Sequence, residues 1–153
     1  MGILWIVTGN RSFAKILEVQ GHGRKIKEIY HLVNPEGRMK SGEILSDRPG
    51  RAYDRVGGGR HALSQEVDFH EHEQHVFVHK IANLLREQKD NNAFEELAFV
   101  APSHFLGDLN QAISPSVKKS LIKEVAKDLP EYLSSQELVD QLCKYLDLWN
   151  HAQ

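Results

Sequence analysis

The fold is decided by the stretch Ile3-Leu4-Trp5-Ile6-Val7, a continuous apolar run that ends before the turn residues Gly9-Asn10. A short apolar run bounded in this way is typical of a strand buried on both faces of a sheet. The turn at Thr8-Gly9-Asn10-Arg11 predicts a second strand over Phe13–Val19, and a third strand over Lys25–Val33 follows the break at Gly21-His22-Gly23. These three strands are therefore predicted to form an antiparallel meander.

Beyond residue 70 the apolar period changes to that of a helix. Apolar residues spaced three and four apart predict a helix over Glu73–Lys89, and short apolar runs predict strands over Leu97–Ala101 and Leu121–Ala126. Start signals of three further helices follow at Pro102-Ser103, Ser114-Pro115 and the capping box Ser134-Ser135-Gln136-Glu137. The order β-β-β, loop, α-β-α-β-α favours an α/β fold, with a mixed five-stranded sheet flanked by helices on both faces.

Residues 34–70 carry glycine and proline without a regular period. We predict a long flexible loop there, between the third strand and the first helix of a single domain that spans residues 1–153. Its core is Ser46–Leu63, which holds four arginines and four glycines. Glycine lets the backbone approach a partner closely, and the guanidinium group of arginine suits phosphate or carboxylate.

The predicted anion-binding residues of this loop are Arg48, Arg51, Arg55, Arg60 and His61. A structural alternative is open, in which Asp47 and Asp54 pair with two of the arginines. Charge is unevenly distributed along the chain: residues 1–60 hold 11 Lys/Arg and 6 Asp/Glu, a balance of +5, and residues 61–153 hold 8 and 15, a balance of −7. This uneven distribution of charge is typical of a basic binding face. The alternative is that the charged surface residues are unevenly distributed without any functional role.

Composition indicates an ordinary globular chain of 153 residues, with 41% hydrophobic residues and a mean hydropathy of −0.45. The sequence contains neither a signal-peptide core nor a run long enough to span a membrane, so we predict cytoplasmic residence and no membrane partner. Cys143, the only cysteine, lies in an apolar helical pattern and is predicted to be a small buried hydrophobe.

His72, His75 and His79 fall at i, i+3 and i+7 and share one face of the predicted first helix. Imidazole is a favoured ligand of Zn²⁺, Ni²⁺ and Cu²⁺, so these histidines are a candidate metal site. The alternative is a solvated helix face that binds divalent metal only adventitiously, and no cofactor is expected. Motifs of a metalloprotease, a serine hydrolase, a phosphate-binding loop and a two-metal nuclease are missing.

Several separated segments resemble the bacterial host-attachment protein family. They are Ser46-Asp47-Arg48-Pro49-Gly50-Arg51, Gly58-Gly59-Arg60-His61-Ala62-Leu63, Phe99-Val100-Ala101-Pro102, Phe105-Leu106-Gly107-Asp108-Leu109 and Lys127-Asp128-Leu129. The last of these follows a predicted strand, where α/β sheets often place sites, and is equally explained as a turn into the next helix.

This family in turn resembles the catalytic middle domain of archaeal and eukaryotic peptide-chain release factors, which has a ribonuclease H-type sheet. The resemblance implies that Gly58, Gly59 and Arg60 stand where those factors carry a glycine-glycine-glutamine loop, and makes them the catalytic candidates. Arginine keeps the backbone N–H that contacts the transition state but disturbs the placement of a water nucleophile. Enzymatic activity is therefore uncertain, and a non-catalytic role is favoured.

The sequence favours an intracellular module, non-catalytic or weakly catalytic, that binds RNA (ribosome or tRNA) or another polyanion through its Gly/Arg-rich loop. One alternative is a peptidyl-tRNA hydrolase acting in ribosome rescue. Another is a protein–protein interaction module with an indirect role in attachment to host cells. The oligomeric state is open.

Overall fold

A computed structural model describes residues 2–20, 25–38 and 58–148 of the chain, and only the backbone of helix residues 58–68 and 70. The strands are β1 (Leu4–Gly9), β2 (Phe13–Gln20), β3 (Lys25–Val33), β4 (Glu96–Ala101) and β5 (Leu121–Ala126). The helices are α1 (Gly58–Asp90), α2 (Ser103–Ala112), α3 (Pro115–Ser120) and α4 (Ser135–Leu146), together with a 3-10 turn at Pro35–Arg38.

The five strands form one mixed sheet in the order β3-β2-β1-β4-β5. β1 and β3 run antiparallel to β2, whereas β4 runs parallel to both β1 and β5. Val7 of β1 therefore pairs with Ile16 on one side and with Phe99 on the other. This arrangement confirms the predicted α/β fold with a mixed five-stranded sheet. It also brings the carboxyl ends of β1, β4 and β5 to the same edge.

Side chains alternate between the two faces of the sheet, as the pleat requires. On the first face, Trp5 and Val7 of β1 pack with the buried residues of α1, α2 and α3. On the second face, Leu4 and Ile6 pack with the buried leucines of α4. Both faces are covered, which explains why β1 is a continuous apolar run and does not alternate with polar residues.

Helix α1 packs on the first face through an apolar stripe whose members are Phe77, Val78, Ile81, Ala82 and Leu85. The helix begins at Gly58, which corrects the predicted loop over residues 34–70, because residues 58–70 are helical. After the two initial glycines, the segment contains Ala62, Leu63, Gln65 and Glu66, residues that favour a helix. Residues 39–57 of the predicted loop lie outside the described part.

The start signals of the later helices have different outcomes. Ser114 caps α3 by accepting a hydrogen bond from the Val117 amide at 3.3 Å. At α4, Ser134 Oγ accepts from the Glu137 amide at 3.2 Å, and the Glu137 carboxylate accepts from the Ser134 amide at 3.0 Å. These contacts confirm the predicted capping box, and the bonds to Ser134 hold the pKa of Glu137 below its usual value.

Helix α2 begins at the predicted start signal Pro102-Ser103. Its N-cap residue is Pro102, which makes no side-chain capping bond, and Ser103 is already the first helical residue. Cys143 is buried in α4, as predicted. Burial, with a smaller effect of Asp140, raises the pKa of the Cys143 thiol to about 11, which disfavours the reactive thiolate.

Within the described residues, no helix combines the length and the apolar character needed to cross a membrane.

Candidate functional site

A cleft of about 350 Å³ opens at the edge where the parallel strands end. The residues that follow β1 supply Asn10, Arg11 and Ser12 to its lining, and those that follow β4 supply Pro102, His104 and Phe105. Asp128, after β5, and Gln74, from α1, complete it. In α/β sheets, the carboxyl ends of parallel strands are the usual place for a ligand site. The fold therefore brings four separate segments of the chain to a common polar opening.

Gln74 ties helix α1 to helix α2 beside this cleft. Its side-chain amide nitrogen lies 2.7 Å from Asp108 Oδ2 and 2.8 Å from His104 Nδ1. A carboxylate only accepts hydrogen bonds, so Asp108 fixes the orientation of the amide and makes Nε2 the donor. His104 Nδ1 must then accept, which leaves the proton of the neutral ring on Nε2.

His75, the residue after Gln74, makes a second contact with the same carboxylate, since its Nδ1 lies 3.5 Å from Asp108 Oδ2. The Asp108 side chain is 11% exposed and the His75 side chain 51% exposed. Asp108 is thus in contact with two consecutive residues of α1.

Asn10 shapes the wall of the cleft that follows β1. Its Oδ1 accepts a hydrogen bond from the Ser12 amide at 2.8 Å, and its Nδ2 donates to Asp128 Oδ1 at 3.0 Å. The first contact closes a local turn, and the second connects the ends of β1 and β5 across the intervening β4. Asp128 is therefore a tether between strand ends, a role consistent with the turn alternative for Lys127-Asp128-Leu129.

The start of α2 forms the floor of the cleft. The first hydrogen bond of this helix runs from the Leu106 amide to the Pro102 carbonyl at 2.9 Å. Amides that precede it in a helix have no intrahelical acceptor, which here concerns Ser103, His104 and Phe105. The N-cap residue Pro102 makes no capping bond, and the first turn carries no acidic residue, so among the described residues neither offsets the positive end of the helix dipole at these amides.

A different polar group lies on the second face of the sheet, near the same edge. Lys15, 7% exposed, donates from Nζ to the Glu131 carbonyl at 3.1 Å and lies 3.8 Å from Glu28 Oε1. Thr8, its neighbour across the β1–β2 pair, is 0% exposed. The Thr8 hydroxyl has no hydrogen-bond partner among the described residues.

The structure separates the cleft from the residues that the sequence singled out. Gly58, Gly59, Arg60 and His61 form the first turn of α1, so the catalytic candidates are helical and do not form a loop. Arg60 precedes Gln74 by 14 residues, about 21 Å along a helix axis. Arg48, Arg51 and Arg55 lie outside the described residues.

In the described part of the chain, His72, His75 and His79 are not brought together into a group that could hold a metal ion. All three histidines lie on the exposed side of α1, and His75 faces Asp108. Across residues 2–20, 25–38 and 58–148, no group of three or more histidine, cysteine or carboxylate side chains is arranged to hold a metal ion. The spacing of the three histidines places them on one face of the helix. A metal ion also requires that their ring nitrogens, or those of other ligands, converge on one point.

Sequence reasoning missed Gln74, His104 and the role of Asn10. The only available signal was positional, since Asn10, Pro102-Ser103-His104 and Asp128 each follow a strand. Gln74 carries no such signal, because its partners lie on α2, some 30 residues away in the chain.

Comparison with known proteins shows which family the chain belongs to. The sequence model of a family described as "Protein required for attachment to host cells" matches residues 5–142. The chain belongs to this family. The match includes every segment that lines the cleft and the whole of helix α1. No curated protein sequence matches this host-attachment family member.

Two solved structures are similar to the host-attachment chain. One, described as an archaeal protein, has a TM-score of 0.48 and 15% identity, with 98% of this chain and 36% of that one covered. The other is an archaeal translation termination factor, with a TM-score of 0.48, 11% identity, and 97% of this chain and 40% of that one covered. The host-attachment chain spans less than half the length of either structure.

Proposed function

We propose that this host-attachment family protein is a non-catalytic or weakly catalytic module that binds RNA or another polyanion at the start of helix α1. The observation that supports the proposal most directly is where the helix begins. Gly58 opens a helix of 33 residues immediately after the segment that contains Arg48, Arg51 and Arg55. The arginines are therefore joined to the positive end of the longest helix described.

The first turn of α1 suits a phosphate group. The amides of the first residues of a helix have no intrahelical acceptor, and the helix dipole favours an anion beside them. This turn contains no acidic residue, and its glycines would not obstruct a phosphate. Arg60 and His61 add cationic or donor side chains to the same turn.

The distribution of charge restricts the contact with a polyanion to this part of the chain. Residues 61–153 carry a balance of −7, so most of the fold repels an anion at neutral pH. A polyanion would then be held by the arginine-rich segment and the start of α1, and its affinity would depend strongly on salt.

The two alternatives have less support. Gly58, Gly59 and Arg60 are helical, and Arg60 stands in the place of a glutamine, so peptidyl-tRNA hydrolysis remains a prediction. A protein partner with an apolar interface is the other alternative, and the binding experiment distinguishes it.

The test measures binding of a mixed tRNA pool by fluorescence anisotropy between 50 and 200 mM salt. Release of counterions from four phosphate contacts predicts a loss of affinity over this range on the order of 50-fold for single-stranded regions and about 150-fold for helical stems. The variant Arg48→Ala/Arg51→Ala/Arg55→Ala/Arg60→Ala should bind at least about tenfold more weakly at 50 mM salt and lose most of the salt dependence.

A matched control removes the same charge elsewhere. Lys80, Lys118, Lys119 and Lys123 are exposed in the described structure, and their fourfold alanine variant changes net charge by the same amount. This control should retain most of the affinity. Equal losses in the two variants, or binding insensitive to salt, would contradict the proposal, and the second result would favour an apolar protein partner.

Hydrolysis needs its own assay. Ribosomes that carry peptidyl-tRNA are incubated with the wild type, Gly59→Ala and Arg60→Gln. Release of peptide by the wild type that is lost in Gly59→Ala would establish an enzyme, and release by Arg60→Gln alone would identify a disabled relative.

A further inference from the structure

We propose that the open border of β5 is an interaction surface for an acidic segment of a partner protein, which adds to the five-stranded sheet as a further strand. The segment carries two carboxylates four residues apart, with an apolar residue midway between them. The surface is separate from the start of α1, where we propose polyanion binding, because it consists of β5 (Leu121–Ala126) and the lysines around it.

The backbone of β5 offers hydrogen-bonding groups on its open side. β5 is the last strand in the order β3-β2-β1-β4-β5, and among the described strands it pairs only with β4. The Lys127 amide donates to the Ala101 carbonyl at 3.0 Å, so the backbone of Lys127 is directed toward β4. Because successive residues of an extended chain direct their backbone groups to opposite sides, those of Glu124 and Ala126 point to the open border. Both residues are exposed, and an added strand can bond to them.

Lysines are concentrated at this border. Residues 61–153 carry a charge balance of −7, yet five of their eight Lys/Arg residues lie within β5 or beside it: Lys118, Lys119, Lys123, Lys127 and Lys144. The first two stand in the last turn of α3, directly before the strand. A local basic surface on an otherwise acidic part of the chain attracts an acidic partner and repels a basic one.

Lys123 and Lys127 set the spacing of the carboxylates. They are four residues apart in extended chain, about 13 Å, and therefore share a face of the sheet. Lys123 lies opposite Ala98 of β4, and neither lysine makes an ion pair with a described residue. Val125 lies between them and packs against the apolar core of the second face. An apolar residue of the added strand would extend that contact.

Tyr145 of α4 gathers two ammonium groups beside the border. Nζ of Lys127 lies 5.5 Å from the centre of the Tyr145 ring, and Nζ of Lys144 lies 5.9 Å from it. Both distances are within the range of a cation–π contact. Two like charges held at one ring repel each other, so a carboxylate that binds between them is favoured.

The acidic side chains nearest to β5 are engaged elsewhere. Glu124 follows Lys123 in the strand and points to the opposite face, where its carboxylate accepts a hydrogen bond from Asn110. Asp128 accepts a hydrogen bond from Asn10 at 3.0 Å. Neither carboxylate therefore neutralises the lysines of the second face.

The other border strand, β3, lacks an unbalanced charge of this kind. Lys27 of β3 lies opposite Glu18 of β2. Glu28 Oε1 lies 3.8 Å from Lys15 Nζ. Charges of both signs are thus balanced within the sheet at that border, and β5 is the better surface for an acidic strand.

The border favours a short peptide over a nucleic acid. Leu97 pairs with Leu121 and Ala98 with Lys123, so Ile122 is an extra residue and the regular stretch begins at Lys123. Ile122 is 56% exposed. A nucleic acid would contact the lysines but has no extended peptide backbone to pair with Glu124 and Ala126.

The test uses the peptide Thr-Glu-Thr-Val-Thr-Glu-Thr, blocked at both ends. Controls are the same peptide with lysine in place of both glutamates, and an oligouridine of similar length. Binding to the full chain is followed by ¹H–¹⁵N NMR at about 50 mM salt, where electrostatic contacts are weakly screened. We expect saturable shifts of the Glu124 and Ala126 amides with the acidic peptide, and binding at least about fivefold weaker with either control.

Two methylated peptides test the addition of a strand. One is N-methylated at its threonines and the other at its glutamates and valine. Alternate residues of a strand face opposite sides, so only one of these sets should lose binding. The set that fails shows whether the added strand is antiparallel or parallel to β5.

Variants of the chain test the same surface. Lys123→Ala/Lys127→Ala should weaken binding about fivefold, whereas Lys80→Ala/Arg86→Ala, which removes the same charge from exposed positions of α1, should change it less than about twofold. Ala126→Pro removes an N–H from the open border, where proline is tolerated, and should weaken binding by about fivefold or more. Urea denaturation checks that this variant is folded, and the methylated peptides decide the matter if it is not.

Four outcomes would overturn the proposal: no saturable shift at about 5 mM acidic peptide, equal binding of the lysine peptide, equal binding of the two methylated peptides, or stronger shifts with oligouridine. A dimer formed through β5 in place of peptide binding would do the same. These variants leave residues 46–63 unchanged, so peptide binding and tRNA binding can fail separately.

Discussion

The two faces of the sheet differ in whether a buried polar side chain finds hydrogen-bond partners. On the first face, Gln74 is 8% exposed and has both N–H groups satisfied, by Asp108 and His104. On the second face, Thr8 is 0% exposed, and its hydroxyl has no partner among the described residues. The polar network on the first face ties α1 to α2. On the second face, buried Lys15 contacts the Glu131 carbonyl and Glu28, but the Thr8 hydroxyl beside it is left without a partner among the described residues.

The largest expected effect compares one buried leucine from each face. Leu85 of α1 and Leu142 of α4 are both 0% exposed. Leu85→Ala should lower the free energy of unfolding by about 4 kcal/mol and Leu142→Ala by about 3 kcal/mol, because the shorter α4 can move inward to fill part of its cavity. Urea denaturation of both variants measures the difference, and an equal or reversed order would show that the faces are packed alike.

The next effect breaks the polar network on the first face. Gln74→Glu places a carboxylate beside Asp108 in a buried position and should cost about 3 kcal/mol. Gln74→Met removes the hydrogen bonds without adding charge and should cost about 1–2 kcal/mol. Thermal or urea unfolding of the pair isolates the contribution of charge. Identical losses would mean that a second carboxylate beside Asp108 carries no extra cost, contrary to the expected repulsion.

A smaller effect concerns the helix on the second face. Ser134→Ala removes the cap of α4 and should cost about 1 kcal/mol. The pKa of Glu137 is lowered by its bonds to Ser134, so its stabilising contribution is present above its unfolded pKa, near 4.5, and is lost as pH falls through the lower folded value. NMR titration of the Glu137 carboxyl carbon should show its pKa rising toward 4.5 in Ser134→Ala, and an unchanged pKa would count against the capping box.

The smallest effect has the opposite sign. Thr8→Val replaces an unpaired buried hydroxyl by a methyl group of the same shape and should raise the free energy of unfolding by about 0.5–1 kcal/mol. Urea denaturation measures it, with Thr8→Ser as a control that keeps the hydroxyl and loses the methyl. A destabilised Thr8→Val would indicate that the hydroxyl has a partner, such as an ordered water shared with Lys15.

The fold was predictable because each strand or helix is specified by residues within or next to it in the sequence. The apolar run at residues 3–7, the capping box at Ser134 and the proline at the start of α3 each specify an element through neighbouring residues. The start of α1 was misplaced, because Gly58 and Gly59 resemble a loop although the residues after them favour a helix.

The cleft was harder to predict because its contacts join distant residues. Gln74 and Asp108 are 34 residues apart, and Asn10 and Asp128 are 118 apart. Sequence patterns report periods within one element, whereas these pairs depend on the order of strands in the sheet. For the three histidines, the sequence showed a shared helix face but could not show whether the side chains converge, and the described residues contain no group arranged to hold a metal ion.

The order of strands leaves β5 at one border of the sheet, with Lys123, Glu124 and Ile122 exposed along it. An edge strand can be a template to which other chains add, and charged side chains are a common protection against such growth. Lys123 and Glu124 provide that protection here, next to an isoleucine that would otherwise favour self-association. Replacing both with valine would therefore be expected to favour pairing of β5 with the same strand of a second copy.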